Sequence, residues 1–300
     1  MSKTSNKIVF FGSGLVASKS LELLNDSFDI ECAITKSSTK ELMQAVVPKT
    51  TVLCVNNKIE LDEVIKKSGF ESKIAVLIDF GILISQQSID SFPLGIINSH
   101  FSLLPQWRGA DPITFSILSG QEKTGVSLML LSAGMDEGLV IAQAECKITT
   151  EMNNALLTQE LIDLSDALLK DCIPLYINGG IEPIDQTSSA ELMGISSFPT
   201  YSRKLTKEDG LIDWHKPAEV IEREIRAYSE WPRSYTKING IDVIIRSAKV
   251  VNQPGPAGKY SFDKKGLVIY CGQDALDVKT IQPAGKKEMP ISAFLNGNKI

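Results

Sequence analysis

The feature of this sequence that most constrains its fold is an alternation of short apolar runs with helical segments through the first half of the chain. Runs of strand length occupy residues 7–12, 30–35, 52–55, 74–78 and 95–98. Helical spacing follows the first three of them, at residues 15–24, 39–46 and 61–67. Residues 74–78 are apolar throughout, as expected for a strand that is covered on both faces. Alternating strands and helices predict a parallel α/β sheet.

The pattern changes after residue 182. Before it, residues 112–119 and 153–173 predict helices and residues 125–131 predict a strand. Residues 183–206 are turn-rich and aperiodic, and they are followed by a helix at 218–228 and short strands at 234–238, 242–251, 266–271 and 275–281. We therefore predict an α/β domain over residues 1–182, a linker over 183–206, and a small barrel or sandwich over 207–300.

Composition narrows the class of protein. The hydrophobic fraction of 43% and the charged fraction of 22% are those of an ordinary globular protein. No apolar run is long enough for a membrane span, and the polar start lacks the apolar stretch of a signal peptide. The five cysteines are scattered and form no C-x-x-C pair, which favours reduced thiols over a zinc site. We expect a cytosolic protein without a metal.

Charge is unevenly distributed along the chain. Residues 206–300 carry 15 Lys and Arg against 12 Asp and Glu, whereas residues 1–205 carry 16 against 24. A mildly basic second domain is compatible with a polyanionic partner, although solvated surfaces often carry such a balance.

A glycine pattern follows the first predicted strand. Residues 12–17, Gly-Ser-Gly-Leu-Val-Ala, match G-x-G-x-x-G/A, in which backbone N–H groups can meet a phosphate. A dinucleotide site would also need an acidic residue about 20 positions on, for which Glu31 is a rough candidate. The alternative interpretation is a tight strand-to-helix turn.

Asn98 and His100 form the most informative pair in the sequence. They stand one residue apart at the end of an apolar strand, and the strand period of two places both side chains on one face. The carboxyl end of a strand is where α/β sheets build their sites. The chain holds only two histidines, and a packing role for His100 is the weaker interpretation beside Asn98.

Asp136 is the third candidate. It lies between glycines in residues 133–138, after the strand at 125–131, where the chain can turn and present a carboxylate. An ordinary acidic turn is the alternative.

These three residue types suit acyl transfer. A histidine can carry a proton between an attacking amine and a leaving nitrogen, an amide can donate to an oxyanion, and a carboxylate can orient the imidazole. No serine or cysteine is evidently an activated nucleophile, which favours direct attack by an amine on a bound acyl donor.

The motifs around these residues resemble those of the folate-dependent formyltransferases. They are Asn98-Ser-His100, Ser102-Leu-Leu-Pro105, Trp107-Arg-Gly109, Ala110-Asp-Pro-Ile113, Glu122-Lys-Thr-Gly-Val126 and Asp136. In the second half the resemblance continues through Lys204-Leu-Thr-Lys-Glu-Asp, Ile212-Asp-Trp214, Ile225-Arg-Ala-Tyr228, Trp231-Pro232 and Ile281-Gln-Pro-Ala-Gly-Lys-Lys287. These later motifs are most similar to those of family members that formylate methionine on initiator tRNA.

The resemblance implies a Rossmann-like formyltransferase domain followed by a small OB-like barrel, with 10-formyltetrahydrofolate as the formyl donor. It implies that Asn98, His100 and Asp136 are catalytic. It also implies that Ser102, Leu103, Leu104 and Pro105 contact the folate, and that the backbone around Asp79, Phe80 and Gly81 lines the pterin pocket. On this interpretation the glycine pattern at residues 12–17 is a relic of the fold and not a dinucleotide site.

The implied acceptor is the α-amine of methionine on initiator tRNA. Nothing in the sequence demands more than a monomer, which is the state that we expect. The family usually carries a Gly/Pro-rich basic loop after the second strand, but here residues 35–50 lack glycine and keep only Lys36, Lys40 and Lys49. Phosphates could instead be contacted by Arg108, Lys204, Lys207, Lys286 and Lys287, which could equally be solvated surface charges.

Three alternatives remain at this point. An amino-sugar N-formyltransferase would share the first-domain motifs, a catalytically silent RNA-binding module would share the fold, and an NAD-linked oxidoreductase would use residues 12–17.

Overall fold

The chain forms two compact units. The computed structural model describes residues 7–262 and 266–297. Of these, the first unit comprises residues 7–112, 123–147 and 158–202, and the second comprises residues 113–122, 148–157 and the described part of 203–297. Two segments from the first half of the chain, 113–122 and 148–157, therefore belong to the second unit.

The first unit is built on a sheet in the order β3-β2-β1-β4-β5-β7-β8. Its strands are β1 (Lys7–Gly12), β2 (Asp29–Thr35), β3 (Thr51–Cys54), β4 (Ala75–Ile78), β5 (Ile96–His100), β7 (Lys123–Leu130) and β8 (Val140–Lys147). A two-stranded sheet pairs β6 (Arg108–Gly109) with β9 (Tyr201–Ser202). Along this part of the chain the helices are α1 (Leu15–Asn25), α2 (Lys40–Val46), α3 (Lys58–Ser68), α4 (Gln86–Asp90), α5 (Pro112–Leu118), α6 (Asn154–Ile177) and α7 (Gln186–Met193). Of these, residues 113–118 of α5 and 154–157 of α6 belong to the second unit.

The prediction of a parallel sheet is confirmed for strands β1 to β5 and wrong for the rest. Strand β7 runs antiparallel to β5, and β8, which the sequence pattern did not reveal, runs antiparallel to β7. An apolar run buried on both faces carries no information on direction, because either orientation buries the same side chains. The sheet is a mixed, Rossmann-like α/β sheet.

Apolar side chains hold this unit together as the sequence pattern predicts. Helix α1 turns Ala17, Leu21 and Leu24 toward the sheet, and all three are buried. Phe11 of β1 contacts the rings of Phe80 and Phe92 edge-on, with centroids 5.6 and 5.9 Å apart. These contacts fix the ends of β1 and β4, which are neighbouring strands of the sheet.

The second unit is a small antiparallel β domain, as predicted. Its strands follow the order β10-β11-β14-β13-β12, with β15 paired to β14. They are β10 (Ser234–Ile238), β11 (Ile241–Val251), β12 (Tyr260–Phe262), β13 (Leu267–Tyr270), β14 (Ala275–Pro283) and β15 (Met289–Pro290). Helices α8 (Ala218–Ala227) and α9 (Ile291–Gly297) complete the unit. Ile221 and Ile225 of α8 pack into a core with Val243, Val278 and Phe294.

One expectation about the segment before the second unit is wrong. Residues 183–206 are not irregular throughout, because they contain helix α7, whose start is capped by the Asp185 carboxylate accepting from Ser188 N–H. Gly194 ends the helix in the left-handed conformation. The aspartate cap and the terminal glycine were sequence signals for this helix.

Cysteine state and hydropathy add two observations. The five cysteines are free, and burial raises the pKa of Cys32 to about 12. In residues 7–262 and 266–297, no helix is long and apolar enough to cross a membrane.

Candidate functional site

The side chains of Asn98, His100 and Asp136 meet in the first unit. Asn98 Nδ2 lies 3.4 Å from Asp136 Oδ1, and His100 Nδ1 lies 3.8 Å from Asp136 Oδ2. Ser99, between the first two, hydrogen-bonds Ser165 of helix α6, so Asn98 and His100 use the opposite face of the sheet. Both are buried, with 8% and 6% of their surface exposed.

Strand β5 ends at His100, beside β4 on one side and β7 on the other. The histidine ring is held by its second nitrogen, since Nε2 lies 2.9 Å from the backbone oxygen of Trp107. A carbonyl oxygen can only accept, so Nε2 carries the proton. Nδ1, which points toward Asp136, is therefore the nitrogen that can exchange a proton with a reacting group.

Asp136 is fixed by its backbone as well as by its carboxylate. The residue has a left-handed φ of 52°, which the glycines around it help the loop to adopt. Its Oδ2 accepts a hydrogen bond of 2.7 Å from the Gly109 N–H. The carboxylate thus faces Asn98 and His100 from a loop that follows β7.

The Asn98 amide keeps a donor available. Its one hydrogen bond to Asp136 is long, and among the residues that the structure describes its second N–H has no partner. A buried amide N–H of this kind can stabilise negative charge that develops on a carbonyl oxygen.

Residues 102–105 form the loop after β5 and are held by a buried hydrogen-bond network. Ser102, Leu103, Leu104 and Pro105 are all buried, and Ser102 Oγ donates to Gln106 O at 2.5 Å. Ser127 of β7 donates to Ser102 O at 2.6 Å and accepts from Leu104 N–H at 2.9 Å. The side chains of this loop are engaged within the protein, which fixes the course of its backbone.

Ser127→Ala should therefore destabilise the protein and loosen this loop. The change leaves the buried Leu104 N–H without a partner, which costs about 1–3 kcal/mol. Urea unfolding of the variant should show this loss. The exposed Ser91→Ala variant serves as the control, and equal stability of the two variants would contradict the network's role.

Asp79, Phe80 and Gly81 form the turn after β4. Ser13 Oγ donates to Phe80 O at 2.7 Å and Ser13 N–H donates to Asp79 O at 2.8 Å, so the turn is tied to the loop after β1. Although Asp79 is partly open to solvent, desolvation by the surrounding chain raises the pKa of its carboxyl; Lys36 opposes this shift and Asp111 adds to it.

The glycine pattern at residues 12–17 has a packing explanation. A Cβ on Gly12 would lie 2.6 Å from the Ala17 Cβ, so the glycine lets helix α1 start directly against the strand. Glu31 accepts hydrogen bonds from the backbone N–H groups of Glu71 and Ser72, both at 2.8 Å, and so its carboxylate already has partners.

The residues that were predicted to contact phosphates differ in their exposure and in the unit to which they belong. Lys204, Lys207, Lys286 and Lys287 are exposed residues of the second unit. Arg108 belongs to the first unit and its side chain is only 13% exposed, because it donates to Gln186 and to Glu137. Residues 37–46 of the shortened loop fold as a 3-10 turn followed by helix α2.

Sequence reasoning missed several residues that hold this site, namely Ser127, Glu137, Gln143, Gln186 and Ser189. Their contacts join positions between 16 and 78 residues apart, and no local pattern marks them. Among the described residues, no group of three His, Cys, Asp or Glu side chains is placed to hold a metal ion.

Comparison with known proteins gives one family for both units. The model described as "Formyl transferase" matches residues 25–173, and the model described as "Formyl transferase, C-terminal domain" matches residues 204–299. A methionyl-tRNA formyltransferase of Neisseria meningitidis is 32% identical over 309 residues, which cover 98% of each chain. Another, from Pseudoalteromonas translucida, is 38% identical over 229 residues, covering 75% of this chain and 69% of that one.

A solved structure shares the fold. The N-formyltransferase of Helicobacter canadensis, crystallised with folinic acid and dTDP-3-aminofucose, matches with a TM-score of 0.69. The match covers 93% of this chain and 99% of the other at 20% sequence identity.

Proposed function

The chain belongs to the formyltransferase family, and we propose that it transfers the formyl group of 10-formyltetrahydrofolate to the α-amine of methionyl initiator tRNA. The observation that carries this proposal is that the side chains of Asn98 and His100 both lie beside the carboxylate of Asp136. Relatives that match 98% of the chain include methionyl-tRNA formyltransferases, which favours this acceptor.

The proposed reaction starts with attack of the acceptor nitrogen on the formyl carbon. The carbonyl oxygen gains negative charge as the carbon becomes tetrahedral, and the Asn98 amide donates a hydrogen bond to it. The bond between the formyl carbon and N10 of the folate then breaks, which restores the carbonyl and leaves formylmethionyl-tRNA and tetrahydrofolate.

Proton transfer in this proposal belongs to His100. Its Nδ1 accepts the proton that the attacking amine loses and returns a proton to the departing N10. Because Nε2–H stays bonded to the Trp107 oxygen, the ring keeps one orientation through both transfers. The Asp136 carboxylate lies 3.8 Å from Nδ1 and faces the nitrogen that carries the proton between the two transfers.

We propose that the donor lies against two loops of the first unit, residues 79–81 and 102–105. In the part of the chain that the structure describes, the backbone groups of residues 81–84 have no hydrogen-bond partner. Such a segment suits the amide-like edge of a pterin ring. The second loop, formed by Ser102, Leu103, Leu104 and Pro105, is kept in place by the buried hydrogen bonds that Ser127 makes to its backbone.

We propose that Lys204, Lys207, Lys286 and Lys287 contact tRNA phosphates. These lysines are exposed, and within residues 7–262 and 266–297 none of them forms an ion pair. Arg108 is also a predicted contact, through the N–H groups that Gln186 and Glu137 leave open.

The double variant Lys286→Ala/Lys287→Ala should bind tRNA more weakly. Loss of two phosphate contacts should reduce the slope of log affinity against log salt concentration by about 1 for each contact. Filter binding across a salt series measures the slope. Lys66→Ala/Lys67→Ala, a pair of adjacent exposed lysines on helix α3, is the control. An unchanged slope in the first variant would remove these lysines from the interface.

An amino-sugar acceptor is the second candidate, because the fold is shared with an enzyme solved with dTDP-3-aminofucose. The test is formyl transfer from 10-formyltetrahydrofolate to methionyl initiator tRNA, with a nucleotide-linked amino sugar assayed in parallel. Turnover on the tRNA alone is the expected result. Turnover on the sugar alone would overturn the assignment of the acceptor. No turnover on either substrate would overturn the proposed reaction.

We further propose that the protein works as a monomer in the cytosol, where its tRNA substrate is charged. Sedimentation of the purified protein at assay concentration should give the mass of a single 32.8 kDa chain.

A further inference from the structure

Helix α7 is attached to the candidate site although it lies far from it in sequence. Gln186, Ser189 and Ala190 form its buried face. Just before the helix, Ile184 and Val140 exchange backbone hydrogen bonds of 2.7 and 2.9 Å, which join its start to the beginning of β8. The helix therefore begins beside the loop that carries Asp136.

The carboxamide of Gln186 uses its full hydrogen-bonding capacity. Its Oε1 accepts from Arg108 Nη2 at 2.8 Å and from Arg108 Nε at 3.1 Å. Its Nε2 donates to the backbone oxygens of Asp136 at 2.8 Å and Gly138 at 3.1 Å. Arginine can only donate and a carbonyl can only accept, so these partners fix the orientation of the amide.

Glutamine is required here by chemistry as well as size. The residue is 6% exposed, and no other common side chain of this length both accepts twice and donates twice. A glutamate would keep the hydrogen bonds from Arg108, but it would place a carboxylate oxygen against the backbone oxygens of Asp136 and Gly138. The two halves of the amide can therefore be tested separately.

The loop that Gln186 holds cannot relax easily elsewhere. Asp136 has a left-handed φ of 52°, which is unfavourable for a residue with a Cβ and needs support from its surroundings. A Cβ on Gly138 would overlap the backbone oxygen of Leu130, so this glycine is pressed against the end of β7. Gln186 bonds to the backbone at both of these residues.

We propose that Gln186 is a positioning residue for catalysis, which holds the Asp136 carboxylate against Asn98 and His100 by clamping the backbone of its loop. This inference rests on the proposed function, because it assigns Gln186 a role through Asp136. The clamp also couples the loop to Arg108, whose Nη1 donates to Glu137 in the same loop at 3.1 Å.

Ser189, one turn after Gln186 on the same buried face of helix α7, connects the helix to the second loop of the site. Ser189 Oγ donates to Gln143 Oε1 at 2.6 Å, and Gln143 Nε2 donates to Leu104 O at 2.9 Å. One helix thus supports the Asp136 loop through Gln186 and the loop of residues 102–105 through Ser189. The two contacts should affect different kinetic constants.

The experiment compares Gln186→Ala, Gln186→Glu, Ser189→Ala and the exposed Thr187→Ala, with kcat and the donor KM measured for each. Binding stoichiometry of tetrahydrofolate by calorimetry shows whether every chain keeps a folded site. We expect kcat to fall about 10²-fold in both Gln186 variants, as a displacement of the catalytic group by about 1 Å would cause, with the donor KM nearly unchanged. Ser189→Ala should raise the donor KM and keep kcat, and Thr187→Ala should match the parent protein.

The outcomes separate the clamp from its alternatives. If Gln186→Glu keeps the parent kcat, the contact to Arg108 is what matters and the clamp on the Asp136 loop is refuted. If the Gln186 and Ser189 variants change kcat and KM alike, the helix is only a structural support. Should Gln186→Ala not fold, the nearly isosteric Gln186→Glu still decides. Absence of formyl transfer by the parent protein would instead overturn the proposed function itself.

Discussion

His100→Ala should reduce kcat for formyl transfer by about 10²- to 10⁴-fold, the usual contribution of a positioned general acid–base group. An imidazole can both accept and donate a proton, which is the role that the proposal gives to His100. Single-turnover mixing of enzyme, formyl donor and methionyl-tRNA measures the chemical step without interference from product release.

The fold should tolerate this change. The variant loses one hydrogen bond, from Nε2 to the Trp107 oxygen, which contributes about 1 kcal/mol. His215, the other histidine of the chain, is exposed in the second unit, so His215→Ala is a matched control that should retain full turnover. Near-normal turnover of a folded His100→Ala protein would refute the proposed proton transfer.

Asn98→Ala should have the second largest effect, a fall in kcat of about 10²- to 10³-fold, as loss of one oxyanion donor usually causes. The hydrogen bond to the oxyanion forms only as the formyl carbon becomes tetrahedral. The donor KM should therefore change little while kcat and kcat/KM fall together.

Asn98→Asp sharpens this test. It keeps the shape of the side chain but removes the amide donor, and it places a second carboxylate where Nδ2 now lies 3.4 Å from Asp136 Oδ1. We expect this variant to be at least as impaired as Asn98→Ala. The exposed Asn178→Ala variant controls for loss of an asparagine, and a kcat within a few-fold of the parent in Asn98→Ala would exclude the oxyanion role.

The shortened segment after β2 matters for how the acceptor is held. Residues 37–39 form a 3-10 turn and residues 40–46 form helix α2, so the chain here is regular secondary structure. Lys36 lies at the edge of the candidate site, since a Cβ on Gly81 would approach its Nζ to 2.9 Å. Activity on tRNA would show that the family's longer loop is dispensable in this protein.

Most of the local structure follows from patterns of neighbouring residues in the sequence. Apolar periodicity is a property of neighbouring residues, so it identified strands β1 to β5 and helices α5, α6 and α8 to within a few residues. The same period of two placed Asn98 and His100 on one face, because that relation depends only on β5 being extended.

The residues that lie next to that face depend on tertiary packing. Asp136 reaches Asn98 across 38 residues because β7, which precedes its loop, lies beside β5, and the composition of a strand does not say which strand it pairs with. Gln186 is a further 50 residues away, in a segment without apolar periodicity. Hydrogen bonds between distant loops depend on how whole strands and helices pack, and a local pattern of apolar side chains does not encode that packing.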